Sequence, residues 1–105
     1  MDKKEMLEEL NMNAMRIILH AGDAKLLIEE AVDLIKNKNL KEFNEKMNEA
    51  NLKIVEAHKI QTATIQKQIE LEENVYSILF SHAQDTIMTI KSEYETTLKI
   101  VKLIF

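Results

Sequence analysis

The chain has no cysteine, no proline, no tryptophan and a single glycine in 105 residues. Without cysteine there are no disulfides and no thiolate metal sites, and a reducing compartment suits the protein. Without proline and with one glycine, a β-rich or loop-rich fold lacks the residues its turns demand. No apolar run approaches the roughly 20 residues of a membrane span. The opening residues, MDKKEMLEEL, are too charged for a secretory signal. A cytoplasmic protein is expected. Basic residues are the minority, 14 Lys and Arg against 18 Asp and Glu, for a net charge of −4. No basic stripe stands out, which argues against a nucleic-acid partner.

What remains is 46% hydrophobic and 30% charged, the balance of a folded helical chain of one domain. Apolar residues recur at alternating steps of three and four. Leu7, Leu10, Ala14, Ile17, Ala21, Ala24, Ile28, Ala31 and Ile35 form one such stripe. Leu40, Phe43, Met47, Ala50, Ile54 and Ala57, then Thr64 or Ile65, form a second. Between them KNKN (Lys36 to Asn39) reads as a short turn, because asparagine tolerates left-handed backbone angles. The second break has no Gly or Pro; it is placed at LEEN (Leu71 to Asn74), with Asn74 as N-cap. The expected architecture is all-α: an antiparallel three-helix bundle with helices over about residues 3–36, 40–70 and 74–103. So long and thin a monomer leaves apolar surface uncovered, and an oligomer is expected.

The third helix carries two apolar faces. Val75, Leu79, Ala83, Ile87, Ile90, Tyr94, Leu98 and Val101 share one arc, the expected core. Lys91, Glu95, Lys99 and Lys102 share a solvated arc. Ile78, His82, Asp85, Thr89, Thr96, Ile100 and Leu103 share a third, in which Asp85 is the one acid. That arc is not needed for a monomer's core and is too apolar for a plain surface, so it is expected to face another subunit. His82 and Asp85, at i and i+3, are neighbours there. A carboxylate in an interface must pair, bind a cation or protonate. Copies of Asp85 converging on a cyclic axis would suit a hard, oxygen-liganded cation such as Mg²⁺. A neutral imidazole is nucleophilic and accepts a phosphoryl group on a ring nitrogen. Ser81, Gln84 and Thr86 are candidate hydrogen-bonding neighbours, and Met88 a candidate lining residue of a docking surface. No Gly-rich phosphate loop is present, so the phosphate is expected from another protein.

HAQDTIMT (His82 to Thr89) resembles the phosphorylation motif of the lactose/cellobiose-family enzyme IIA component of the bacterial sugar phosphotransferase system. ILHAGDAKLLIEEAV (Ile18 to Val32) and EAHKIQT (Glu56 to Thr62) are similar to that family's first-helix and second-helix signatures. The resemblance implies a homotrimer of three-helix hairpins. In it, His82 takes phosphate from HPr and gives it to the cognate IIB component, and a β-linked disaccharide such as cellobiose, chitobiose or lactose is phosphorylated during uptake through IIC. It also implies that Asp85 from each subunit meets a divalent cation, Mg²⁺ by this reading, on the trimer axis. Two departures stand out. Thr86 occupies the place of a second histidine usual in the family, and QIELEEN (Gln68 to Asn74) lacks the glycine that the family often has there.

The competing reading keeps the fold as a helical regulatory or adaptor module without phosphotransfer. An isolated helix histidine is usually structural, and His20 with Asp23 repeats the i, i+3 spacing. That pair reads as a surface contact, with Gly22 letting another backbone approach. His58 reads as packing or hydrogen bonding. A zinc site from His20, His58 and His82 lacks any His-x-x-x-His spacing.

Overall fold

Asp2, Asn39 and Ser77 start the helices of the protein. Each has a short polar side chain that accepts a hydrogen bond from a backbone N–H three residues on: Glu5 at 2.8 Å, Glu42 at 3.2 Å and Phe80 at 3.0 Å. The bond from Glu5 holds the exposed Asp2 carboxyl below its ordinary range. The computed structural model describes residues 1–72 and 74–105. These residues form three α-helices, α1 (Lys3–Lys36), α2 (Leu40–Leu71) and α3 (Ile78–Ile104). The molecule is a rod of 54 × 18 × 18 Å. A helix of 34 residues is about 51 Å long, so α1 alone runs nearly the full length.

The register of α1 on α2 is visible in three exposed ion pairs. Glu9 pairs with Lys67, Asp23 with Lys53 and Glu30 with Lys46, so steps down α1 match steps up α2 and the two are antiparallel. Such pairs are worth only about 0–1 kcal/mol each. The packing rests on small residues. Ala14, Ala21, Ala24 and Ala31 of α1, Ala50 and Ala57 of α2 and Ala83 of α3 are fully buried. They let backbones approach closely, and Ile17, Ile28, Phe43 and Met47 fill the space between them. α1 is the shared wall: it packs extensively on α2 and on α3, whereas α2 and α3 touch only lightly. The two core stripes read from α1 and α2 are buried except at their ends, where Leu7 and Leu40 are exposed and Ile35 is half-buried. Of the alternatives at the end of the second stripe, Thr64 is buried and Ile65 half-buried. The Thr64 hydroxyl donates to the Ile60 carbonyl and accepts from Asn13 of α1.

The turn after α1 closes as a Schellman motif: Asn39 N–H reaches the Leu34 carbonyl and Lys38 N–H the Ile35 carbonyl. The left-handed residue is Lys38, at φ 57°, rather than either asparagine of KNKN, because Asn39 is needed as the cap of α2. Glu72, at φ 53°, ends α2 in the same conformation. The third helix begins later than its sequence suggests, at Ile78, and Asn74 is not its cap. Ser77 is the cap because tertiary bonds hold it there. Its hydroxyl donates to Asn11 Oδ1 at 2.6 Å, and one turn earlier Gln68 donates to the Val75 carbonyl. Residues 74–77 are thereby pinned to α1 and α2 outside any helix. The delayed start also brings Phe80 into the core beside Ala83, Ile87, Ile90 and Val101. Val75, Leu79, Tyr94 and Leu98 are half-buried at its margin.

The one glycine stands where no glycine is required. Gly22 is exposed in mid-helix, and a Cβ added to it would meet nothing within 4 Å, so no backbone approaches it. Meanwhile Lys38 carries the left-handed strain that glycine avoids. Gly22→Ala and Lys38→Gly should each raise the stability of the chain by about 0.5–1 kcal/mol. Urea unfolding checks this; a lower midpoint in either variant contradicts the corresponding local argument.

Candidate functional site

His82 lies in the second turn of α3, and its side chain is exposed. The position follows from the cap. Ser77 sets the first turn, and the buried Phe80 and Ala83 turn the intervening residues outward. No side-chain hydrogen bond or ion pair holds the imidazole among the described residues, so its ring nitrogens are open to a visiting group. It lines a shallow groove at the amino end of the bundle with Leu7 and Asn11 of α1 and Tyr76, Ile78 and Leu79 around the start of α3. Ile78 and Tyr76 are about three-quarters exposed, at 76% and 73%. The Ser77–Asn11 hydrogen bond forms the floor and fixes α3 against α1 there.

Asp85 is one turn further along and also exposed. At about 100° per residue it points away from Ala83, Ile87 and Ile90, so it stands on the crest of α3 opposite the core. Its carboxylate has no ion pair and no hydrogen bond among the described residues; only its backbone carbonyl is engaged, by the Thr89 hydroxyl. Ile78, Ile100 and Leu103 share this side of the helix and are exposed, Leu103 at 87%. The crest carries these three apolar side chains, Thr89 and Thr96, and one carboxylate.

The neighbours divide. The Thr86 hydroxyl donates to the His82 carbonyl at 2.8 Å, an i−4 backbone bond, and is therefore turned onto the helix. Ser81 and Gln84 are half-buried. Met88, although 66% exposed, does not share the groove of His82. It lines a second groove between α2 and α3, of about 330 Å³, with Ile54, His58, Gln61, Ile87 and Lys91. Six residues along a helix is a rotation of about 240°, so nearness in sequence places Met88 on the other flank.

The decoy pair separates as well. Asp23 pairs with Lys53 at 3.9 Å, and His20 is half-buried with its Nδ1 enclosed and unpartnered. His58 is exposed on α2. No cluster of three metal-ligating side chains exists among the described residues. A single exposed carboxylate at Asp85 fits a hard cation only if other copies of the chain add theirs. Sequence reasoning did not find Asn11 and Tyr76 at the groove. Their place beside His82 depends on the contact between the ends of two helices far apart in the chain.

The chain is similar to known proteins over most of its length. The family model described as "PTS system, Lactose/Cellobiose specific IIA subunit" matches residues 12–104. A PTS system lactose-specific EIIA component of Staphylococcus epidermidis is 33% identical over 82 residues, covering 78% of this chain and 79% of its own length. The lichenan-specific phosphotransferase enzyme IIA component of Bacillus subtilis is 30% identical over 98 residues, covering 93% of this chain and 89% of its own. Among solved structures, the crystal structure of PtcA from S. mutans superimposes with a TM-score of 0.85 at 34% identity, covering 91% of this chain and 94% of that one. 

The exposure of the three histidines makes a direct expectation. Diethyl pyrocarbonate, followed by peptide mass spectrometry, should modify His82 and His58 several-fold faster than His20. Equal rates at all three would contradict the half-burial of His20 and the enclosure of its Nδ1.

Proposed function

This chain belongs to the lactose/cellobiose-specific IIA family of the phosphotransferase system, and we propose that it is a working phosphocarrier with His82 as the covalent acceptor. The observation that carries the reading is an exposed imidazole with no side-chain partner among the described residues, set in HAQD on a helix whose outer crest exposes Ile78, Ile100 and Leu103. A lone pair on a ring nitrogen attacks phosphorus as the bond to the donor breaks, and the phosphoryl group rests on the ring until an acceptor takes it. HPr is the donor and the cognate IIB component the acceptor. IIC, the membrane component, enters only when the sugar is taken up. Phosphoryl transfer asks the protein mainly for position and charge, and a rigid helix face supplies position.

Two relatives are named for lactose and lichenan, which supports a β-linked disaccharide or oligosaccharide as the cargo of the pathway. Among the described residues no helix is long and apolar enough to cross a membrane. The reading places the protein in the cytoplasm, where HPr is found. The exposed crest of α3 supports a homotrimer whose axis passes Asp85. The three carboxylates would hold a divalent cation, Mg²⁺ in this proposal, whose charge lets them approach. A regulatory or adaptor role without transfer has one observation in its favour: Thr86, where the family usually has a histidine, turns its hydroxyl onto the backbone.

Incubation with phosphoenolpyruvate, enzyme I and HPr should leave one acid-labile phosphate per chain, lost in His82→Gln. A chain that stays unphosphorylated favours the adaptor reading, and phosphate retained by the variant moves the acceptor elsewhere. Light scattering at micromolar concentration should give three times the chain mass. Asp85→Leu should lose bound Mg²⁺ and keep or strengthen the trimer, as removal of a buried charge often does. A variant that still binds the metal would place the cation at another site.

A further inference from the structure

The ion pairs between α1 and α2 form a ladder with one rung out of pattern. Glu9, Asp23 and Glu30 of α1 meet Lys67, Lys53 and Lys46 of α2, an acid facing a lysine each time. Successive rungs are one heptad or two apart, which keeps them on one edge of each helix. The same spacing puts a further rung at residue 16 of α1 and residue 60 of α2. Those positions hold Arg16 and Ile60, and the residue before Ile60 is Lys59. Two cations thus stand at a rung where the pattern elsewhere is one acid and one base. Both are exposed, and neither has an ion pair among the described residues.

Both cations line a groove of about 350 Å³ between α1 and α2, a size within the range of small-molecule sites. Met6, Leu10, Ile60 and Leu71 make it largely apolar. Its one acid, Glu9, is already held by Lys67 at 2.7 Å. Its uncharged polar groups are engaged within the chain. Asn13 donates to the buried Thr64, Thr64 to the Ile60 carbonyl and Gln68 to the Val75 carbonyl. The groove therefore offers little to a sugar or another polyol. Because the helices are antiparallel, Arg16 and Lys59 stand at the end nearer the middle of the rod, and Met6 and Leu71 at the other. An apolar trough with an unneutralised cationic end fits a molecule divided the same way. We infer that the α1–α2 groove binds an amphipathic carboxylate, with the carboxylate on Arg16 and Lys59 and the apolar chain lying over Leu10 and Ile60 toward Leu71. The planar guanidinium of Arg16 matches a carboxylate through two parallel N–H donors, and the Lys59 ammonium adds charge. This groove shares no lining residue with that of His82, so the inference does not rest on the phosphocarrier reading.

Decanoate titrated into the full chain and followed by amide NMR shifts tests the idea, with decanol as the uncharged control. Saturable shifts are expected at Asn13, Ile60 and Thr64 and not at His82. Arg16→Gln and Lys59→Gln change exposed side chains and should keep the helix content measured by circular dichroism. Each should weaken decanoate binding about tenfold, and decanol should bind the wild-type chain about tenfold more weakly than decanoate does. Ala63→Phe, at an exposed position on the groove wall, should abolish binding by filling the trough. Absence of saturable binding at millimolar decanoate overturns the inference, as does unchanged affinity in both glutamine variants or equal binding of decanol. A chain that ignores decanoate but sediments with phosphatidylglycerol vesicles also overturns it, and assigns the two cations to a lipid surface instead.

Discussion

The close approach of helix backbones along a seam of buried alanines is the constraint from which the rest of this structure follows. Ala14, Ala21, Ala24 and Ala31 on α1 have no exposed surface, nor do Ala50 and Ala57 on α2 or Ala83 on α3. Side chains this small bring the helix axes toward the short end of the usual 8–10 Å spacing. At that spacing a slip of one turn would set Phe43 or Met47 against a backbone, so the register is sharply specified. Register then decides function. It seats Ser77 against Asn11, which starts α3 where it starts and turns His82 outward at the amino end of the bundle.

Because α1 carries both other helices, α2 and α3 are left as near-independent neighbours across a shallow groove. This gives α3 two unlike flanks and a free crest. Asp85 rides the crest without a partner among the described residues, His82 stands on the α1 side, and Met88 stands on the α2 side. An unpaired carboxylate at the surface costs nothing while water solvates it; it acquires a role only when other copies close over it.

Most of the fold is legible in the sequence because its main signal is periodic. The three-and-four spacing on α1 and α2 marks the buried residues, and failures occur at stripe ends, where the core runs out over Leu7 and Leu40. The start of α3 was not legible. Asn74 and Ser77 are both good capping types, and the choice between them is made by Asn11 and Gln68, far away in sequence. The motif HAQD marks His82 as the candidate acceptor by resemblance, and the lone acid Asp85 marks the crest. What local sequence does not show is the division of grooves, because residues close in number, such as His82 and Met88, end on opposite flanks. Gly22 misleads for a related reason: a glycine in a helix suggests a close contact, yet the space around this one is empty within the chain.

The light contact between α2 and α3 also gives the chain an internal order of assembly. α1 and α2 share a short connection, a continuous alanine seam and three ion pairs, so their hairpin is a local unit of low contact order that forms early. α3 must be recruited onto α1 across an intervening helix, and its amino end is anchored by the buried Ser77 and Phe80. The helix that carries His82 is thus the last to dock and the readiest to open. Closure around a symmetry axis would secure the element that the monomer holds most loosely.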